Sequence, residues 1–517
     1  MIWLIAKKDF LLNLISARFF IGFMLCLVVI PFTLVVSVDH YKNQVRVHQV
    51  YEKEVEKGKE EIRVYSQIRP EIVIPPEPLS IFSSGISGNT GNRVKIQLGE
   101  YPLFPSGHTA TRDNPLLNAF FSIDFVTVIA ILMSLLALVF SYDIFTRERE
   151  DGTLKASFAN KLNRTAFLTG KLLGIIITLA PILLFCFLLG VLVIMLSPAV
   201  HFSAGDWGGV ALLFLSSLLY MAVFILLGMF ISSRSQRSST SIVVSLLCWI
   251  WFLFLTPNIA SYIAQSFVKT EMYDNVQFAL NDLDSQFRKE NQEKRKTLEN
   301  EFEKFTFASM NSSTYSDGTE IMTGCERIFF EFTRRHNIWK EPTRIDYADK
   351  KWAVQKKYLN DLVYQEKVRE YLSWLSPAGL FEQIADLQCH TSMVSFLRYM
   401  DHIRVYRESL IRYFKDKKLF ESYSYFTPQP ESTFPEKIDW RYVFESFQKG
   451  SGFEMPEEWT ANHYPLLNLD DVPVFEYKST KVVSALNVSL GRMAGMLALC
   501  IVLLGATVLS FIKYDVR

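Results

Sequence analysis

Six stretches of the chain are apolar for long enough to cross a bilayer, for which roughly 20 apolar residues suffice. They are residues 19–38, 120–142, 172–196, 207–231, 242–263 and 486–512. Pro31, Pro181 and Pro257 fall inside or at the end of such stretches, which membrane helices tolerate. Ahead of the first span, residues 1–18 place apolar residues at helical spacing with Lys7, Lys8, Asp9 and Asn13 on another face. That pattern predicts an amphipathic helix lying in the membrane interface, with a plain extension of the first span as the alternative. The run from Phe19 to Val38 exceeds a signal-peptide core and no small-residue cleavage site follows it, so it reads as a retained anchor.

Two polar blocks interrupt the spans. Residues 39–117 begin with a helix-forming Lys/Glu/Val/Tyr segment over 42–69 and end in a Pro-rich stretch and the loop SSGISGNTGN. Residues 264–485 are long enough to fold around their own core. Within them, a highly charged helix is expected over 269–308, further helix over 326–374, and one long helix over 380–417. Aromatic-rich sequence with short strands such as VPVFEYKS follows. The charge runs, including Arg398, Arg404, Arg407 and Arg412, read as solvated faces. Asp124 is expected at the interface and unburied. The fold class is therefore membrane α-helical: six transmembrane helices with a large, mainly helical extracytoplasmic domain.

Charge in the short connections sets the orientation. Residues 143–171, Arg234 with Arg237, and both chain ends carry Lys and Arg. The connection 197–206 carries none. Both termini are thus expected in the cytoplasm, with 39–117 and 264–485 outside.

Composition adds little chemistry. Half the residues are hydrophobic and the net charge is +1, so nothing draws the chain to nucleic acid. There is no P-loop: Gly170-Lys171 is followed by Leu172, and Thr165 stands where the first Gly belongs. HExxH, CxxC and GxSxG are absent. No span carries a central ionisable residue, which favours energy delivered from outside the chain. Cys389, His390, Met393, Met400 and His402 offer soft ligands within one segment, but without clean i, i+4 spacing, so no metal site is assigned. Cys325 and Cys389 fall in the outer block. Whether they pair stays open.

The stretch Tyr142–Lys171 holds the distinctive pattern. Tyr142-Asp143, then Arg149-Glu150-Asp151-Gly152-Thr153-Leu154, then Asn163-Arg164 and Gly170-Lys171, resembles the permeases of exporter-type, second-class ABC transporters (ABC type 2). The stretches LSPAGLFEQIADL (375–387) and FLRYMDHIRVYRESL (396–410) resemble the bacterial subset with a large domain between spans five and six. The resemblance implies a transport subunit of the bacterial inner membrane that is not itself an enzyme. It implies no cofactor on this chain, with ATP and Mg on a separate ABC ATPase present in two copies. A second permease chain, identical or related, membrane lipid and a periplasmic partner are the other implied associations. Arg147, Glu148, Arg149, Glu150, Gly152, Thr153, Leu154 and Arg164 then sit where the ATPase docks. A loop joining spans two and three would move both as one lever. Two alternatives stay open: an ATPase-coupled subunit that transmits force or assembles the envelope without a transported substrate, and an ATPase-independent receptor or scaffold.

Overall fold

The computed structural model describes residues 1–86, 93–102, 124–154, 163–302, 312–314, 320–322, 327–423, 426–427, 430–433, 436, 465–476 and 482–512. Helix α1 (Ile2–Leu14) is separate from α2 (Ala17–Glu60), because Ser16 adopts an extended conformation and caps α2 by accepting from Phe19 N. α2 contains the first span and continues well past it. At 1.5 Å per residue it is about 66 Å long, against a hydrocarbon core of about 30 Å. The polar part that follows residue 38 is thus a rigid stalk, ending at Glu60 rather than near residue 69.

The second span is α3 (Phe125–Ser141), capped by Asp124, which accepts from Thr127 N at 2.8 Å. Asp124 is buried at 9 % exposure, contrary to the expectation of an open interfacial residue. Capping explains the burial: its other oxygen accepts from Ser84 N at 2.9 Å, so the carboxylate spends its acceptors on backbone donors. A short helix α4 (Thr146–Glu150) follows, then α5 (Arg164–Met195), α6 (Ala204–Arg234) and α7 (Ser238–Ile250). Span five is longer than the predicted 242–263. It runs from α7 through a π-helical turn at Trp251–Leu255 into α8 (Thr256–Phe267). The sixth span lies in the last described helix, Val482–Ile512. Among the described residues, six helices are long and apolar enough to cross a membrane. Buried residues of spans one to four and six form one core, in which Ile30, Met133, Leu179, Phe224 and Met496 are fully enclosed.

Between spans five and six, α9 (Tyr273–Glu301) runs beside α10 (Arg327–Ser373). The predicted single helix over 380–417 is two. α11 (Pro377–Gln388) and α12 (Met393–Asp416) are separated at His390, whose φ of +59° breaks the ladder. α12 packs against a two-stranded antiparallel sheet, β1 (Glu71–Val73) and β2 (Arg93–Lys95), through Ile72, Val94, Met400 and Ile403. The expected strand at 472–479 is not formed at 472–476, and 477–479 lie outside the described residues. The final helix is α13 (Val482–Ile512).

α11 departs most from expectation. The predicted domain 264–485 includes it, yet Leu380, Phe381, Ile384 and Ala385 belong to the core of the span bundle. Phe381 stacks on Tyr220 of α6 with centroids 4.5 Å apart, and Gln388 meets Ser216 of α6 at 3.2 Å. The reason is a wide apolar arc, Leu380, Phe381, Ile384, Ala385 and Leu387, which must be buried, while Gln383 and Gln388 enter with it because both find hydrogen-bond partners.

Candidate docking site at the loop end of the bundle

α3 stops where apolar sequence gives way to Tyr142-Asp143. Arg18, in the first turns of α2, donates to Asp143 at 2.8 Å and to Tyr142 Oη at 3.0 Å. The turn that follows leads into α4, whose first amides, those of Phe145 and Thr146, find an acceptor in Ser232 Oγ at 3.1 and 3.4 Å. The end of α6 thus supplies the cap that α4 lacks. After α4, Gly152 has φ of +72°, a region that L-residues adopt only at a cost, and among the described residues, its chain neighbours apart, no heavy atom lies within 4 Å of the position its Cβ would take. The chain therefore reverses tightly there and leaves open space outside.

The eight predicted docking residues divide into two groups. Arg147, Gly152 and Thr153 are exposed, and Asp151 joins them, pairing loosely with Arg147 at 3.9 Å. These make one outward surface. The others point into the protein. Glu148 contacts Lys171 of α5, which also binds Asp9 of α1 at 3.1 Å. All three side chains are mostly buried, so Glu148 acts as a strut to α5 and α1. Arg149 donates to Ser235 O at 2.9 Å. Glu150, although exposed, accepts from Ser238 N and Ser238 Oγ at 2.8 and 2.7 Å. Leu154 is buried, and Arg164 donates to Ile512 O at 2.7 Å at the end of α13. Residues 155–162 lie outside the described residues.

Lys171 can reach both carboxylates because α1 crosses α5 closely. A Cβ on Gly170 would stand 2.8 Å from Ile5 Cβ, and one on Gly174 3.0 Å from Asp9 Cβ. Burial pushes the Asp9 carboxyl above its ordinary value, outweighing the attraction of Lys171. α1, the docking turn, the α6–α7 turn and the end of α13 therefore share one end of the bundle. The sequence offered a signal for this in Gly170-Lys171-Leu172-Leu173-Gly174, a small-xxx-small spacing that permits close helix approach.

The remaining candidates are not brought together. Cys389 is a free thiol buried in the bundle core, and burial raises its pKa well above the ordinary value; Cys325 lies outside the described residues. Met400 packs in the core with Ile72 and Val94, apart from Cys389. Among the described residues, no group of three His, Cys, Asp or Glu side chains is placed to hold a metal ion. Arg404 and Arg407, read as a solvated face, are buried. Asp386 was missed because it lies in a polar block. Ser83 donates to it at 2.6 Å, and burial pushes its carboxyl up to about 7.

Among the described residues, six spans with a large insert before the last define a multi-pass membrane protein. The family comparison agrees in class: the model described as ABC-2 family transporter protein matches residues 3–516, and the chain belongs to that family. A search of the curated proteins finds no match. The chain is therefore the membrane permease component of an ABC system, a transport subunit that is generally not catalytic itself, and its family implies an ABC ATPase partner.

Proposed function

We propose that the chain is the permease of an ATP-driven exporter and that a separate ABC ATPase docks on Arg147, Asp151, Gly152 and Thr153, on the cytoplasmic side of a bacterial inner membrane. Two ATPase copies and a second permease chain complete the transporter in this reading, and both termini are cytoplasmic. The carrying observation is the division of α4 and its flanking turns: among the described residues one side is open, and the other is bonded to α5, α6 and α7, to α1 through Lys171, and to α2 through the Arg18–Asp143 pair. A push on the open side therefore reaches several spans at once, not spans two and three alone.

Arg147→Glu and Gly152→Trp each weaken capture of the ATPase subunit by about tenfold, equivalent to ~1.4 kcal/mol at an exposed contact. Binding of purified ATPase to the nanodisc-embedded chain checks this. Unchanged affinity in both variants overturns the assignment of this surface. A second reading, in which ATP-driven motion serves an envelope partner without a transported substrate, is favoured by α11. Through it the large domain is built into the bundle. Reconstitution with the ATPase separates the two readings: ATP-dependent movement of a lipid or peptide supports the exporter.

A further inference from the structure

Span five is the least enclosed of the six spans. Only 11 % of its most apolar stretch is buried, against 22 % for the sixth span, 28 % for the first and 61 % for the second. Val243, Leu247, Ile250, Trp251 and Phe254 face outward along it. Near its middle, Trp249 Nε1 donates to Ser134 Oγ of α3 at 2.8 Å. Further polar ties lie at its loop end and at Phe252, one turn beyond Trp249.

At the loop end, α7 has no side-chain cap of its own. Glu150 supplies one from the docking helix through its two bonds with Ser238, a favourable place for a carboxylate because helix N-terminal amides point at it. Thr146 Oγ1 meets Ser238 Oγ at 3.0 Å, and Ser241 Oγ donates to Tyr142 O at 2.6 Å. At the middle of the span the α-helical ladder is interrupted twice. Trp251–Leu255 is π-helical, and Pro257 has no N–H to donate. Thr256 Oγ1 donates to Trp251 O at 2.9 Å, and Ser376 Oγ donates to Phe252 O. The same Ser376 hydroxyl caps α11, accepting from Ala378 N and Gly379 N at 3.2 and 3.3 Å. Beyond the interruption, Gln365 of α10 donates to Val268 O at 3.2 Å.

From Ser238 to Phe252 the helix climbs about 21 Å, some two thirds of a bilayer core. Below Trp251 the ladder is intact and the helix is stiff. Bending concentrates where the ladder is broken, and there the span meets the cap of α11. We propose that the half of span five from Ser238 to Phe252 is the strut that carries displacement of the docking helix to α11 and the large domain, with Glu150 and Ser376 as the positioning residues at the two ends of that half. The source of the displacement rests on the docking reading; the connection itself does not.

Amide hydrogen exchange of the full chain in nanodiscs tests the connection without any partner. Glu150→Ala speeds exchange about tenfold at 238–241 and also at 376–388, far from the substitution. Glu150→Gln, which keeps an acceptor for Ser238, restores both. An effect confined to 238–241 overturns the proposal. In the complex with the ATPase, a non-hydrolysable ATP analogue changes exchange at 376–388, and Ser376→Ala abolishes that change while leaving ATPase affinity at the wild-type value. Persistence of the change in Ser376→Ala overturns the proposal. Should Ser376→Ala fail to fold, Ser376→Cys keeps the volume with a weaker hydrogen-bonding group and makes the same comparison. Failure of the docking reading shows separately, as a wild-type chain that captures no ATPase, and leaves the partner-free comparison decisive.

Discussion

Lys171→Met lowers the stability of the bundle by about 3–5 kcal/mol, the range for removing one partner of a buried ion pair. Lys171, Asp9 and Glu148 have side chains only 8 %, 13 % and 19 % exposed. The substitution leaves two carboxylates enclosed together with no cation between them. Asp9 Oδ2 already has no hydrogen-bond partner, so nothing nearby takes over. The loss depends on pH with a definite sign. Burial raises the Asp9 carboxyl in the folded chain above its unfolded value, so the folded state holds that proton more tightly. Stability from this group is full below the unfolded value and is lost as pH rises through the folded one. The deficit of Lys171→Met is therefore larger at pH 8 than at pH 5. The neutral triple variant Asp9→Asn, Lys171→Met, Glu148→Gln recovers most of the loss, because a buried ionic set replaced as a whole leaves no unpaired charge. Thermal unfolding in nanodiscs at two pH values checks all three outcomes. A wild-type midpoint for Lys171→Met would remove the claim that α1 and the docking helix are tied through this residue.

Arg407→Ala destabilises the large domain by a similar amount, about 3–5 kcal/mol. Arg407 is fully buried. It donates to Gln97 O at 3.2 Å and to Leu98 O, pairs with Glu408 at 2.7 Å, and lies 3.9 Å from the ring centroid of Tyr101. Tyr101 in turn stacks on Trp352 and donates to Asp349 and Glu408. Truncation strands two backbone carbonyls and frees the strap over residues 97–102. Arg407→Lys keeps the charge but not the planar fork, and restores less than half of the loss. Exchange at 93–102 rises in both variants, while the span core keeps its protection. Loss of protection throughout the spans would contradict the local role assigned here.

The spans were legible from apolar run length alone, since a bilayer admits only backbone that satisfies its own hydrogen bonds. A tight turn after span two was legible from charge, Gly152 and position. What its residues do was less so. Glu148 and Glu150 look alike in the sequence, two acids on one short helix, yet one is a buried strut to Lys171 and the other caps span five. α11 carried a readable sign, a wide apolar arc through Leu380, Phe381, Ile384 and Leu387, that was masked by its place in a polar block. Arg407 carried none, because a buried arginine and a solvated one sit in the same charged pattern, and only the carbonyls of a strap some 300 residues earlier distinguish them.

The sequence by itself determined the six spans, their connections and the turn at Gly152, because these follow from local hydropathy and backbone sterics. The tertiary structure alone decided which side of that turn is open, that α11 enters the bundle, and that span five is fastened at its loop end and again at its middle. Those outcomes depend on which distant donor meets which acceptor, and no local pattern encodes the meeting.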